Sequence, residues 1–146
     1  MGTCFTIGAF AVITDGEGRV LLCHRRDMDW WNLPGGGMEA GELPTEAVIR
    51  EVREETGLKV VVEAMTGLYA KSYSSDLVFT FRCRVVGGEL GPTEESSACA
   101  YFPPDALPAN TMPKHVERLR DALSDAPKPC FRVQSSPPIS PHAPRS

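Results

Sequence analysis

Between Pro44 and Gly57 the chain reads PTEAVIREVREETG, and its chemistry lies in Arg50, Glu51, Glu54 and Glu55. At about 100° per residue the three glutamates fall together with the small Ala47 on one flank of a helix. Beside them runs an apolar stripe of Val48, Ile49, Val52 and Thr56. Like charges at i, i+3 and i+4 repel by roughly 0.2–0.5 kcal/mol per pair on an exposed helix. The repulsion grows where a buried stripe lowers the local dielectric. Arg50, four residues before Glu54, can serve one carboxylate but hardly all three. Two readings follow. Either the acids form a solvated helix face with Arg50 and Arg53 as surface partners, or a hard, oxygen-seeking divalent cation compensates them. Such a cation would lower the pKa of a bound water. Carboxylates and carbonyls favour magnesium over zinc.

The helix that must position these groups has clear limits. Pro44 sits in its first turn and Gly57 supplies its C-terminal stop. A tripled glycine, Gly35 to Gly37, follows Leu33-Pro34 and leads into a loop ending at Gly41. Upstream, Cys4 to Thr14 is too uniformly apolar for a half-exposed strand, so a central strand buried on both faces is expected. Asp15 to Gly18 is a turn, and Arg19 to Arg25 is expected to return as its hairpin partner. Asp27 to Trp31 reads as loop. Lys59 to Tyr69 and Leu77 to Val86 read as strands around a polar loop, Ser72 to Ser75. Glu89 to Ser97 is a second polar loop, Ala98 to Phe102 a short strand, and Pro113 to Ser124 a second helix. Val116, Leu119, Ala122 and Leu123 form its inner stripe. Strands on both sides of one helix, with another at the end, give a layered α/β domain over residues 1–124. From Asp125 six prolines in 22 residues predict a disordered tail, 125–146. Within it Ser136-Pro137-Pro138 could adopt an extended proline helix.

The 146 residues fit one domain, and 42% apolar content suffices for a core. A net charge of −4 argues against a general nucleic-acid binder, without excluding a small phosphorylated ligand. Five scattered cysteines without a C-x-x-C read as reduced thiols of a cytoplasmic protein. No apolar run approaches about 18 residues, so no membrane span is expected. His24, Arg25 and Arg26 form a basic group that could meet phosphate. Of the adjacent Trp30 and Trp31, one is expected to pack as core and the other could stack on a base.

Gly36, Glu42, Arg50, Glu51, Val52, Glu54, Glu55, Gly57 and Leu58 together resemble the Nudix hydrolase signature, with every specified position matched and no gap. The resemblance covers Thr3 to Leu123. It implies the Nudix fold, an α/β/α arrangement in which a mixed sheet lies between helices. It also implies a pyrophosphohydrolase that cleaves nucleoside diphosphates linked to another group, nucleoside triphosphates or sugar nucleotides for example, with Mg2+ or Mn2+. Carried over residue by residue, Glu54 and Glu55 are the main metal ligands, often with the Gly35 carbonyl. Glu51 is the next ligand, or the base that takes a proton from water, and Arg50 orients the carboxylates. Gly36 and Glu42 shape the loop. A further ligand from a later loop falls on Glu95, then Glu94. Tyr73, 15 residues past Leu58, is similar to the tyrosine of diadenosine polyphosphate cleavers. The proline that marks ADP-ribose cleavers is missing between Gly57 and Gly91. The partner is thus a small nucleotide derivative and the protein a monomer or homodimer. The alternative is a noncatalytic Nudix-type module that senses a nucleotide, although such modules usually lose the carboxylates kept here.

Overall fold

The computed structural model describes residue 2 and residues 4–135; the Ser136-Pro137-Pro138 segment lies outside them. In chain order the elements are β1 (Thr6–Ile13), β2 (Val20–Arg25), β3 (Trp31–Asn32), β4 (Gly35–Gly37), α1 (Pro44–Thr56), β5 (Leu58–Lys71), β6 (Ser74–Gly88), β7 (Ser96–Phe102), α2 (Pro113–Leu123) and β8 (Cys130–Gln134). A mixed five-stranded sheet has the order β4-β1-β6-β5-β8, and a three-stranded antiparallel sheet the order β3-β2-β7.

The uniformly apolar β1 is indeed buried on both faces. Ala9, Ala11 and Ile13 point into a core that contains Ala47, Val48 and Val52 of α1. Phe10 and Val12 point the other way, toward Leu119 and Ala122 of α2. The two helices therefore cover opposite faces, which gives the layered α/β/α arrangement.

The expected β1–β2 hairpin does not form as a ladder. Beyond the turn at Asp15 a single bridge, Thr14 to Val20, joins the two strands. Both edges of β1 are already occupied, by β4 antiparallel and by β6 parallel. β2 passes instead to the second sheet, between β3 and β7.

Helix α1 is turned by about one position from the stripe read in the sequence. Its buried residues are Ala47, Val48, Val52 and Thr56, while Ile49 is 37% exposed. The rotation carries the acidic flank inward. The Leu43 N–H donates to Glu46 Oε1 at 2.8 Å to open the helix. Gly57 closes it at φ +81°, its N–H donating to the Arg53 carbonyl. A Cβ at Gly57 would lie 2.3 Å from the Glu89 carbonyl oxygen.

Helix α2 also presents a different face from the apolar stripe. Lys114, His115 and Arg118 are buried with Leu119 and Ala122, whereas Leu123 is exposed. Their partners lie elsewhere in the chain. The Leu33 N–H donates to His115 Nδ1 at 3.0 Å, and Arg118 donates from Nη2 to Gln134 Oε1 at 2.9 Å. Gln134 belongs to β8, which pairs in parallel with β5 from Gly67–Cys130 to Lys71–Gln134. Residues 130–134, assigned by their proline-rich surroundings to a tail, thus form the edge of the main sheet. Phe131 and Val133 face outward there, and the polar Gln134 faces inward. Among the described residues no helix is long and apolar enough to cross a membrane.

Candidate active site

The rotation of α1 places its acids at different depths. Glu51 is 13% exposed at its side chain and Glu54 42%, while Glu55 is half-buried. The Glu51 carboxyl lies flat against Gly36 of β4, where a Cβ would come within 2.6 Å of it. A side chain there would displace the Glu51 carboxyl, because the helix and the strand meet through the carboxylate itself.

Arg50 holds the acidic group together. Its Nε and Nη2 donate to the two oxygens of Glu42 at 2.7 and 2.9 Å, a fork that only a guanidinium can make. Nη2 also donates to the Gly37 carbonyl at 3.0 Å, and Nη1 reaches Glu51 at 3.1 Å and Glu54 at 3.3 Å. One side chain thereby pins the loop before α1 to the helix. The guanidinium, with the Glu39 N–H, holds the Glu42 carboxyl down to about 2. Burial raises the carboxyl of Glu51 despite Arg50. Burial pushes Glu55 further, to about 9, although the Gly35 N–H donates to its Oε1 at 3.2 Å.

Glu95 arrives from the loop before β7. One oxygen from each of Glu51, Glu54 and Glu95 lies within 4.8 Å of the others. Three carboxylates that close, with Arg50 already forked to Glu42, form an all-oxygen donor set suited to a hard divalent cation. Glu55 sits deeper, and Gly35 meets it through its N–H rather than its carbonyl. Thr93 ties the two halves. Its Oγ1 donates to the Glu55 main-chain carbonyl at 3.2 Å and accepts from the N–H groups of Glu95 and Ser96 at 3.1 Å.

The acids open onto a cavity of about 440 Å³. Its wall includes Glu51, Glu55 and Glu95, the basic Arg25 and Arg26, and Asn32. Arg25 is forked to Asp27 at 2.6–2.7 Å, and Arg26 donates to the Thr93 carbonyl at 2.8 Å, so both charges are held in fixed directions. Asn32 is a residue of this wall that the sequence reading passes over. It is 7% exposed, and its Oδ1 has no hydrogen-bond partner among the described residues. An enclosed acceptor on a cavity wall costs about 1–3 kcal/mol unless a ligand or water meets it. The signal was only its place between Trp31 and Leu33, where an otherwise apolar run carries one amide.

Of the other residues singled out in the sequence, His24, Gly35 and Gly36 also line this wall, whereas Trp30, Trp31, Tyr73 and Glu94 do not. The Trp31 ring packs edge-on against His24 and Phe102 at 5.1 and 5.0 Å between centroids. Trp30 beside it is half-buried. Tyr73 stands at the β5–β6 turn and accepts from Lys114 Nζ at 2.6 Å, and Glu94 is exposed outside the acidic triad.

Known proteins agree with this architecture. The family model described as NUDIX domain matches residues 5–124. A MutT-like protein of Streptomyces ambofaciens is 36% identical over 121 residues, 83% of this chain and 79% of the relative. A Bacillus subtilis protein provisionally named as an 8-oxo-dGTP diphosphatase is 30% identical over 123 residues, 84% of this chain and 83% of its own. The crystal structure of an ADP-ribose pyrophosphatase from Streptococcus suis superposes with a TM-score of 0.74 at 25% identity, covering 88% of this chain and 99% of that one. With a complete signature, a matching fold and relatives along most of its length, the chain is a member of the Nudix hydrolases, enzymes whose named relatives here are nucleotide pyrophosphatases.

Proposed function

We propose that the protein hydrolyses the diphosphate linkage of nucleoside triphosphates, purine and oxidised purine nucleotides first, using magnesium or manganese. One observation carries the reading: the convergence of Glu51, Glu54 and Glu95 beside a cavity whose wall also holds Arg25, Arg26 and Asn32. A divalent cation held by these carboxylates, with Glu55 beside them, would stabilise charge on the phosphoryl oxygens and acidify water. The chain's own residues position the rest. Arg50 fixes Glu51 and Glu54, and Glu51, its carboxyl raised by burial, is the group suited to take a proton from the attacking water. Arg25 and Arg26 offer fixed positive charge to the remaining phosphates.

Asn32 brings an amide that reads adjacent donor and acceptor atoms, a pattern that purine edges offer. The name of the Bacillus subtilis relative points to the same class. Trp31 is occupied by His24 and Phe102, which leaves Trp30 as the tryptophan for stacking on a base. Five free thiols support a reducing, cytoplasmic setting, with a monomer or homodimer as the active unit.

The test uses metal-stripped protein with dGTP, 8-oxo-dGTP, ADP-ribose and a sugar nucleotide, each with and without Mg2+ or Mn2+. Chromatography should show nucleoside monophosphate and pyrophosphate from the triphosphates only when metal is present. Asn32→Ala should raise KM for them with little change in kcat. Cleavage confined to ADP-ribose or the sugar nucleotide, or turnover indifferent to metal, would overturn the proposal.

A further inference from the structure

Cys23 and Cys99 are separated by 76 positions in sequence yet stand directly opposite each other on β2 and β7. Their sulfurs are 3.4 Å apart. Opposed residues of an antiparallel pair have Cα atoms about 4.5 or 5.5 Å apart, inside the roughly 4.4–6.8 Å window of a disulfide. Closing the bond needs only a shift of the sulfurs to about 2.05 Å. Cys99 is half-buried and so reachable from solvent, whereas Cys23 is buried and forms part of the wall of the substrate cavity. The Cys99 S–H also donates to the Glu55 main-chain carbonyl at 3.3 Å. The pair therefore touches both the cavity and the helix end that carries the acids.

We propose that Cys23 and Cys99 are a reversible oxidation site, at which a peroxide forms a disulfide that lowers the hydrolase activity. The first step is attack of the Cys99 sulfur on a peroxide oxygen. The O–O bond breaks, Cys99 becomes a sulfenic acid, and the leaving oxygen takes up a proton to depart as water. The Cys23 sulfur then attacks Cys99 Sγ, the S–O bond breaks, and the hydroxyl leaves with the Cys23 proton as a second water. In sum two thiols and one hydrogen peroxide give one disulfide and two waters. A dithiol reverses the reaction by exchange.

The bond acts on the site in two ways. It pulls Cys23 toward β7, which alters the cavity wall, and it removes the S–H donor from the Glu55 carbonyl, leaving Thr93 to hold that helix end. This effect on activity rests on the hydrolase reading above; the disulfide itself does not.

The experiment treats the full chain, in a Cys4→Ser background that removes the exposed thiol, with hydrogen peroxide. The expected results are an intact mass lower by about 2 Da, for the two hydrogens lost, and a tryptic product joining Val20–Arg25 to the peptide of residues 85–114. Substrate turnover should fall by at least about fivefold, in keeping with the cost of small misplacements near a reacting centre, and dithiothreitol should restore it. Cys23→Ala and Cys99→Ala should each keep, after peroxide, the activity that they had before it. Cys99→Ser replaces the first variant if Cys23→Ala melts early. Absence of the linked peptide overturns the site. Linked peptide with unchanged turnover, or equal inhibition of the alanine variants, overturns its control of the enzyme. If the reduced protein cleaves no nucleotide, the hydrolase reading fails and with it the control, while the mass and peptide data still decide the disulfide.

Discussion

The three glutamates of α1 sit at different depths, and the consequences can be measured. Glu54 is more exposed than Glu42 or Glu51, which also meet Arg50, so it contributes little to packing. Glu54→Gln should lower kcat by at least about 10²-fold, as loss of a main electrostatic stabiliser does, while the melting temperature stays in place. Wild-type turnover in that variant would remove Glu54 from the chemistry. Glu55 is a case of burial. In metal-free protein its folded pKa is about 9 against an ordinary 4.5, so the folded state keeps a proton that the unfolded chain releases. Its contribution to stability is therefore full below about 4.5 and is lost as pH rises through about 9. The melting temperature of metal-free protein should fall by about 5 °C or more between pH 5 and pH 9, since one pKa unit is about 1.4 kcal/mol. Glu55→Gln should flatten that dependence, and parallel curves for the two proteins would refute the assignment.

At the scale of elements, the contact between α1 and β4 sets the geometry of the acids. Gly36→Ala would drive a methyl group into the Glu51 carboxyl, whereas the corresponding position at Gly37 is open space. Activity should therefore drop by at least about tenfold for Gly36→Ala, a shift of the order of 1 Å at the acids, and stay near wild type for Gly37→Ala. Equal kcat/KM in the two variants would show that the contact does not matter. Helix α1 itself was legible from Pro44, Gly57 and the run between them, because local capping and periodicity decide such a helix. Its rotation was not legible. The face from Ala47 to Thr56 is chosen by the close approach to β1, which favours the small Ala47 over Ile49. The buried face of α2 was hidden for a similar reason. Lys114, His115 and Arg118 look like a solvated face until Gln134, the Leu33 N–H and Tyr73 are brought to them by strands far away in sequence. Glu95 and Asn32 reach the site through loop and strand geometry with no spacing rule to announce them. The signature reveals which acids belong together, and tertiary packing decides how deeply each one sits.

For the whole molecule the most telling strand is the last. Arg118 has no exposed surface, and its charge is met by Gln134 of β8 and the rings of Phe10 and Tyr69. A chain ending at Ser124 would leave that guanidinium without Gln134, a loss of about 1.5–3 kcal/mol for hydrogen bonds to a charged group. Its melting temperature should fall by about 3–12 °C, at about 2–4 °C per kcal/mol. An unchanged melt would show that β8 does not brace the sheet. Strand β1 has a different consequence, one of timing. It is an interior strand of the main sheet, and its parallel partner β6 lies about 70 positions later, Thr6 pairing with Asp76. At translation rates of about 5–20 residues per second, that partner follows roughly 4–14 s after it. During this interval Ala9 to Ile13, apolar on both faces, have only the three-residue β4 to pair with. Nascent chains that stop before Ser74 should therefore depend on chaperones or aggregate, and only synthesis through Gly88 should release them.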